Sequence, residues 1–232
     1  MAWNKYYIFI QSPRLTNLDS ILAKLNLGQF KPIREVPLNY SNKSGTLFAG
    51  FYHGNLIIVH PELPFYFFGD TQSDIEKLFI DTFPGCEIAA LVENRTVALF
   101  SYAVIVKGKK IRVKDGADGM YFNDRGDLLP EEIEILSQKM FEEEEINEMK
   151  GNGLSAEEIA ALINFEACWR VPNLISKRYL GEKLDSLDPE KIILTEYSDG
   201  NAVNDDEYQN NVANHERLRK YFEDLSKNAT GE

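Results

Sequence analysis

The chain has 232 residues, 44% of them apolar and 12% aromatic, enough for one sizeable core or for one core with a helical appendage. Its formal net charge of −12 makes approach to phosphate backbones and anionic bilayers unfavourable, so nucleic acid and membrane are set aside as partners and a basic protein surface is favoured. No apolar run approaches the roughly 20 residues of a membrane-spanning helix.

The opening segment MAWNKYYIFIQSPR lacks the basic start and small-residue cleavage site of a secretion signal, so a cytoplasmic location is expected. Within it, Tyr6–Gln11 is apolar on both faces and reads as a central strand covered on both sides. Leu18, Ile21, Leu22 and Leu25 have helical spacing, with Asn17 as N-cap and Gly28 as a stop. Ile33–Leu38 is an edge strand, because Pro32 and Pro37 lack a ladder donor. Thr46–Tyr52 and Leu56–Val59 form a hairpin around His53-Gly54-Asn55, where Gly and Asn accept positive φ. Four aromatics, Phe65–Phe68, follow two prolines, and they are either core or an exposed patch. Ser73-Asp74-Ile75-Glu76 has capping-box spacing and opens a helix whose apolar face is Ile75, Leu78 and Phe79.

The stretch Cys86–Val113 holds three apolar segments separated by Glu93-Asn94-Arg95 and by Gly108. It reads as an antiparallel meander and is placed at the centre of the fold. Met120–Phe122 adds a short strand, and Asn123-Asp124-Arg125-Gly126 a turn. Beyond Pro130 the signals become helical: one helix over Glu131–Met149 with Ile133, Leu136 and Met140 inward, and then a second opened by the capping box Ser155–Glu158. The second runs on through an apolar series that is interrupted at Pro172 and stopped at Gly181. Ile192–Tyr197 is a short strand, and a last helix covers Glu207–Ser226. The expected fold is therefore α+β, a mostly antiparallel sheet with helices largely on one face, followed by a helical C-terminal region. Residues 1–130 form the sheet core. Residues 131–232 form an acidic helical region that packs on the core or stands as a satellite, within one compact unit.

The pattern Phe100, Tyr102-Ala103-Val104, Gly108-Lys109, Arg112, Asp118-Gly119, Gly126, Leu129-Pro130 and Glu131 resembles an uncharacterised bacterial domain family of unknown function. Phe83-Pro84-Gly85 before a strand and the glycine-containing hairpin Phe48–Val59 are similar too, so the resemblance spans Thr46–Glu132. It implies no catalytic residue, and the long acidic tail departs from it.

Three histidines bound the search for chemistry. His53 in a turn and His60 at a strand end, with Glu62 and Asp70 nearby in sequence, are the candidates for a small polar catalytic site. His215 sits among charges. Cys86 and Cys168 do not form a CxxC pair and read as buried thiols in a reducing compartment. Neither a metal site nor a cofactor is expected, and the Asp- and Gly-rich stretch Asp115–Asp127 does not have the ligand spacing of an EF-hand. Residues 127–168 carry twelve carboxylates against two cations. Four of them, Glu142, Glu143, Glu144 and Glu145, are consecutive and fan around a helix, so they are the candidate partner-binding residues. Two readings follow. One is a non-catalytic interaction or regulatory protein that binds a basic partner, comparable to immunity or antitoxin proteins. The other is an enzyme with its site at His53, His60, Glu62 and Asp70.

Overall fold

Extended segments from both ends of the described residues meet in one sheet. The computed structural model describes residues 4–41, 45–117 and 120–200. Among them are nine strands: β1 (Lys5–Ile10), β2 (Lys31–Pro37), β3 (Thr46–Tyr52), β4 (Asn55–Val59), β5 (Ile88–Asn94), β6 (Leu99–Val106), β7 (Lys109–Ala117), β8 (Met120–Gly126) and β9 (Ile193–Ser198). Their order is β2-β9-β3-β4-β1-β5-β6-β7-β8, and every neighbouring pair is antiparallel.

β1 is the middle strand, with Ile8 opposite Ile58 on one side and Ala90 on the other. Tyr7 and Phe9 point into one apolar cluster, and Ile8 and Ile10 into the other. This is why its sequence is apolar at consecutive positions. The Cys86–Val113 meander supplies β5, β6 and β7 and lies to one side of centre. Within it Val104 is fully buried, whereas Leu99 and Val106, at the ends of β6, are half-buried.

A sheet apolar on both faces needs two covers, so the helices do not gather on one face. Helices α1 (Leu18–Lys24) and α2 (Asp74–Thr82), with the 3-10 turn Leu63–Phe67, cover the Ile8 face. Helices α3 (Pro130–Leu136) and α5 (Ala156–Leu180) cover the Tyr7 face, and α4 (Glu143–Gly151) leans on α5. The segment beyond residue 130 is also not purely helical. It returns as β9 and inserts between β2 and β3, so that Ser198 pairs with both Lys31 and Thr46.

Local signals place most ends. The Asn17 side chain accepts from the Ser20 N–H at 2.8 Å, and Ser73 Oγ accepts from the Glu76 N–H at 3.0 Å. Ser155 and Glu158 cap each other reciprocally. Gly181 closes α5 at φ +82°. Pro172 does not break α5, whose Val171–Ser176 turn is buried on all sides. There the segment after the helix folds back, and the Leu184 N–H donates to Ser176 Oγ at 3.1 Å.

Four expectations change. The single helix Glu131–Met149 is two, because the Glu142 N–H is taken by the Glu145 carboxylate at 2.6 Å and a new helix starts there. Ile133 and Leu136 face outward while Ile135 is buried, since Glu132 claims the inward position beside it. Asn123–Gly126 is not a turn but the second half of β8, paired with β7 from Asp115 to Arg112. In the β3–β4 turn His53 and Gly54, not Asn55, take positive φ. Asn55 is buried in β4 and bridges the Ser12 N–H and the Tyr179 carbonyl. The expected helix Glu207–Ser226 and His215 lie outside the described residues.

Candidate functional site

The four residues singled out as a catalytic group are set apart. His53 is exposed in the β3–β4 turn, with its ring edge-on to Tyr52. His60 follows the other end of the five-residue β4, roughly 16 Å away at 3.3 Å per residue. Its Nδ1 accepts from the Glu62 and Leu63 N–H groups at 3.1 and 3.2 Å, so the ring caps the turn that follows. Burial lowers its pKa from the usual 6.5, against the pull of the Glu62 and Asp199 carboxylates. Glu62 is exposed. Asp70 pairs with Arg125 of β8 at 2.9 Å. Only His60 and Glu62 are brought together, and through Glu62's backbone.

The aromatic run divides: Phe67 and Phe68 are buried, Phe65 and Tyr66 exposed. Burial raises the thiol pKa of both Cys86 and Cys168, which disfavours the reactive thiolate. No group of three or more His, Cys, Asp or Glu able to hold a metal occurs among the described residues. Glu142–Glu145 are all exposed at the start of α4, and no α4 side chain is buried.

Two networks of buried charge, neither evident from sequence, organise the Tyr7 face. The first joins β6, β7, β8 and α3. Glu132, 2% exposed, accepts from the Tyr102 hydroxyl at 2.8 Å, from Arg112 Nε and Nη2 at 2.7 Å each, and from the Leu129 N–H at 2.9 Å. Arg112 Nη1 reaches the Arg125 and Gly126 carbonyls, and Nη2 also meets Asp124. All the guanidinium donors and the main carboxylate lone pairs are thus engaged. Burial alone would lower the Arg112 pKa, but Glu132 and Asp124 more than offset it and hold it above the usual range. Burial, reinforced by Glu132, keeps Tyr102 a neutral phenol. The adjoining cavity, lined by Tyr102, Lys114, Glu132 and Cys168 among others, measures about 10 Å3, room for about one water. Residues of the Phe100–Glu131 sequence pattern converge here: Tyr102, Arg112, Gly126 and Leu129. Gly126 is required at φ +89°, and any Cβ there would collide with the Ile111 carbonyl.

The second network sits beside β1. Lys5 and Glu93 are register partners on β1 and β5, and both are almost fully buried. Lys5 Nζ meets Glu93 Oε2 at 2.9 Å and Asp185 Oδ1 at 2.5 Å. Asn173 of α5 joins by accepting from Lys5 and donating to Asp185. As in the first network, where the Asp124 side chain is 47% exposed, one carboxylate reaches the surface, but here it borders a groove. The Asp185 side chain is 46% exposed and, with Glu166, Trp169, Arg170 and Asn173, lines a groove of about 360 Å3. Trp169 is held edge-on to Phe100 and Phe165, with centroids 5.9 and 6.2 Å away. A half-buried indole, two carboxylates and one guanidinium therefore border a space of ligand size. A third ion-paired group, Arg178 with Glu131 and Glu87, clamps α5 to α3 and to the start of β5.

No family model, curated protein or solved structure matches this chain.

Proposed function

We propose that the protein is a non-catalytic cytoplasmic interaction or regulatory protein whose acidic surface binds a basic protein partner, comparable in charge logic to immunity or antitoxin proteins. The observation that carries this reading is the display of Glu142, Glu143, Glu144 and Glu145 on consecutive exposed positions at the start of a helix with no buried side chain. They stand within a segment, 127–168, of net charge −10. Charges held on a helix that merely leans on its neighbour cost the core little to keep, and they raise the encounter rate with a cationic surface. The bacterial family resemblance across Thr46–Glu132 is compatible with this reading and adds no chemistry to it.

The test replaces Glu142, Glu143, Glu144 and Glu145 by Gln. The amide oxygen introduced by Glu145→Gln still accepts the capping bond, so circular dichroism is expected to be unchanged. Against the partner recovered from the native cell, the variant should associate more slowly at low salt and converge on wild type at high salt, where exposed charges are screened beyond about 8–10 Å. Equal affinity of both proteins at low salt would remove the acidic helix from the mechanism.

A further inference from the structure

The groove over the Lys5 network is built differently from the acidic helix. Glu166, Trp169, Arg170 and Asn173 follow one another at helical spacing along a single stripe of α5. Asp185 closes the groove from the chain segment beyond the helix, anchored there by Lys5 and Asn173. The charge of Lys5, which adjoins the groove through Asp185, is matched by Glu93 and Asp185 in direct contact. Glu166 is exposed and makes no ion pair among the described residues. The Trp169 ring is fixed from behind by Phe100 and Phe165, so it does not have to be ordered when something binds against it.

We propose that this groove receives the guanidinium or ammonium of an arginine or lysine side chain of the basic partner, an inference that rests on the reading above. An aromatic face flanked by carboxylates is the arrangement that recognises an organic cation, since the ring quadrupole and the carboxylates attract it together. Its volume falls within the roughly 300–1,000 Å3 of ligand-sized sites. Arginine paired with a tryptophan wall is also the composition of the few residues that carry most interface energy. The acidic helix then supplies approach and the groove supplies the anchor. Arg170 stands on the rim as a like charge and weakens the site.

The probe is the blocked tripeptide acetyl-Gly-Arg-Gly-amide, with acetyl-Gly-Gly-Gly-amide as its neutral control. Binding is read from the indole N–H resonance of Trp169, assigned by its loss in Trp169→Phe. A saturable shift is expected with the arginine peptide only. Glu166→Gln, an exposed position outside the buried network, should weaken it roughly two- to fivefold, and Arg170→Gln should tighten it. The quadruple Gln variant of α4 should bind the peptide within about twofold of wild type, which separates the groove from the acidic helix. No saturable shift, an equal shift with the control, or weaker binding in Arg170→Gln would overturn the proposal; the last would assign the groove to an anionic group instead. Peptide binding by a protein whose α4 charges prove irrelevant to the partner would leave the groove standing and remove the acidic-helix reading. Partner binding without peptide binding would do the reverse.

Discussion

The two buried charge networks differ in what surrounds them rather than in what they contain. Around Arg112 and Glu132, donors and acceptors pair off within a space that admits about one water, and three strands and a helix converge on them. Around Lys5, a similar set of charges ends on Asp185, nearly half exposed at the edge of a groove. Desolvating a charge is costly in either place. Where the central pair, Arg112 and Glu132, has its donors and acceptors met by the protein itself, that cost is recovered as architecture. Where the exposed member borders a groove, the same charges remain within reach of a ligand.

The sharpest way to break this contrast is Glu132→Gln. It leaves Arg112 enclosed with only the half-exposed Asp124 as a charge partner, and a loss of about 3–5 kcal/mol is expected in urea melts. A loss below about 1 kcal/mol would show that the closed network is not closed. Asp185→Asn should cost less, about 1 kcal/mol, because Lys5 keeps the buried Glu93 as its charge partner and Asp185 is already 46% exposed to water at the groove. A cost equal to that of Glu132→Gln would mean that the groove does not hydrate the network, and the distinction would fail. The smallest effect belongs to acid. Burial pushes Asp124 up, yet Arg112 and Lys114 more than offset it and hold its pKa below the usual 3.8. A depressed carboxylate stabilises the fold above its unfolded pKa, and that contribution is lost as pH falls below about 3.8 through the folded value. Asp124 is half exposed, so Asp124→Asn should cost under about 1 kcal/mol at neutral pH and flatten the stability profile in the acid range. An unchanged acid slope would detach Asp124 from the network.

The same contrast explains what is legible in the sequence. β1 reads as central because both its faces are apolar, and the caps at Asn17, Ser73, Ser155 and Gly181 announce themselves within a turn of chain. Glu93 instead reads as the start of a turn, and only its pairing across the sheet with Lys5 shows why a carboxylate is buried in β5. Asn123–Gly126 has turn composition, yet Asp124 and the Arg125 and Gly126 carbonyls are what Arg112 needs from β8. The inward face of α3 is misread from periodicity because periodicity counts apolar residues, and the residue that turns inward there is Glu132. The acidic helix is a local feature, and its charges stand out in the sequence. The groove and the Lys5 network that adjoins it draw on β1, β5, α5 and Asp185, and no spacing rule brings those together. His60 attracts notice for its chemistry, while its ring nitrogen is spent on two backbone amides.

The placement of β9 sets a timetable for the chain. β2 is made early, but its only ladder partner among the described residues is β9, so that Lys31 must wait for Ser198. At roughly 5–20 residues per second, β2 waits on the order of ten seconds during synthesis before that neighbour exists. In the interval β3 shows an open edge to every other nascent chain. Pro32 and Pro37 on β2 lack amide donors, and such residues make a waiting strand a poor template for the wrong partner. Closure of the sheet at this end is therefore a late event of long contact order, expected to be slow relative to the β5–β8 meander, whose neighbours follow one another directly.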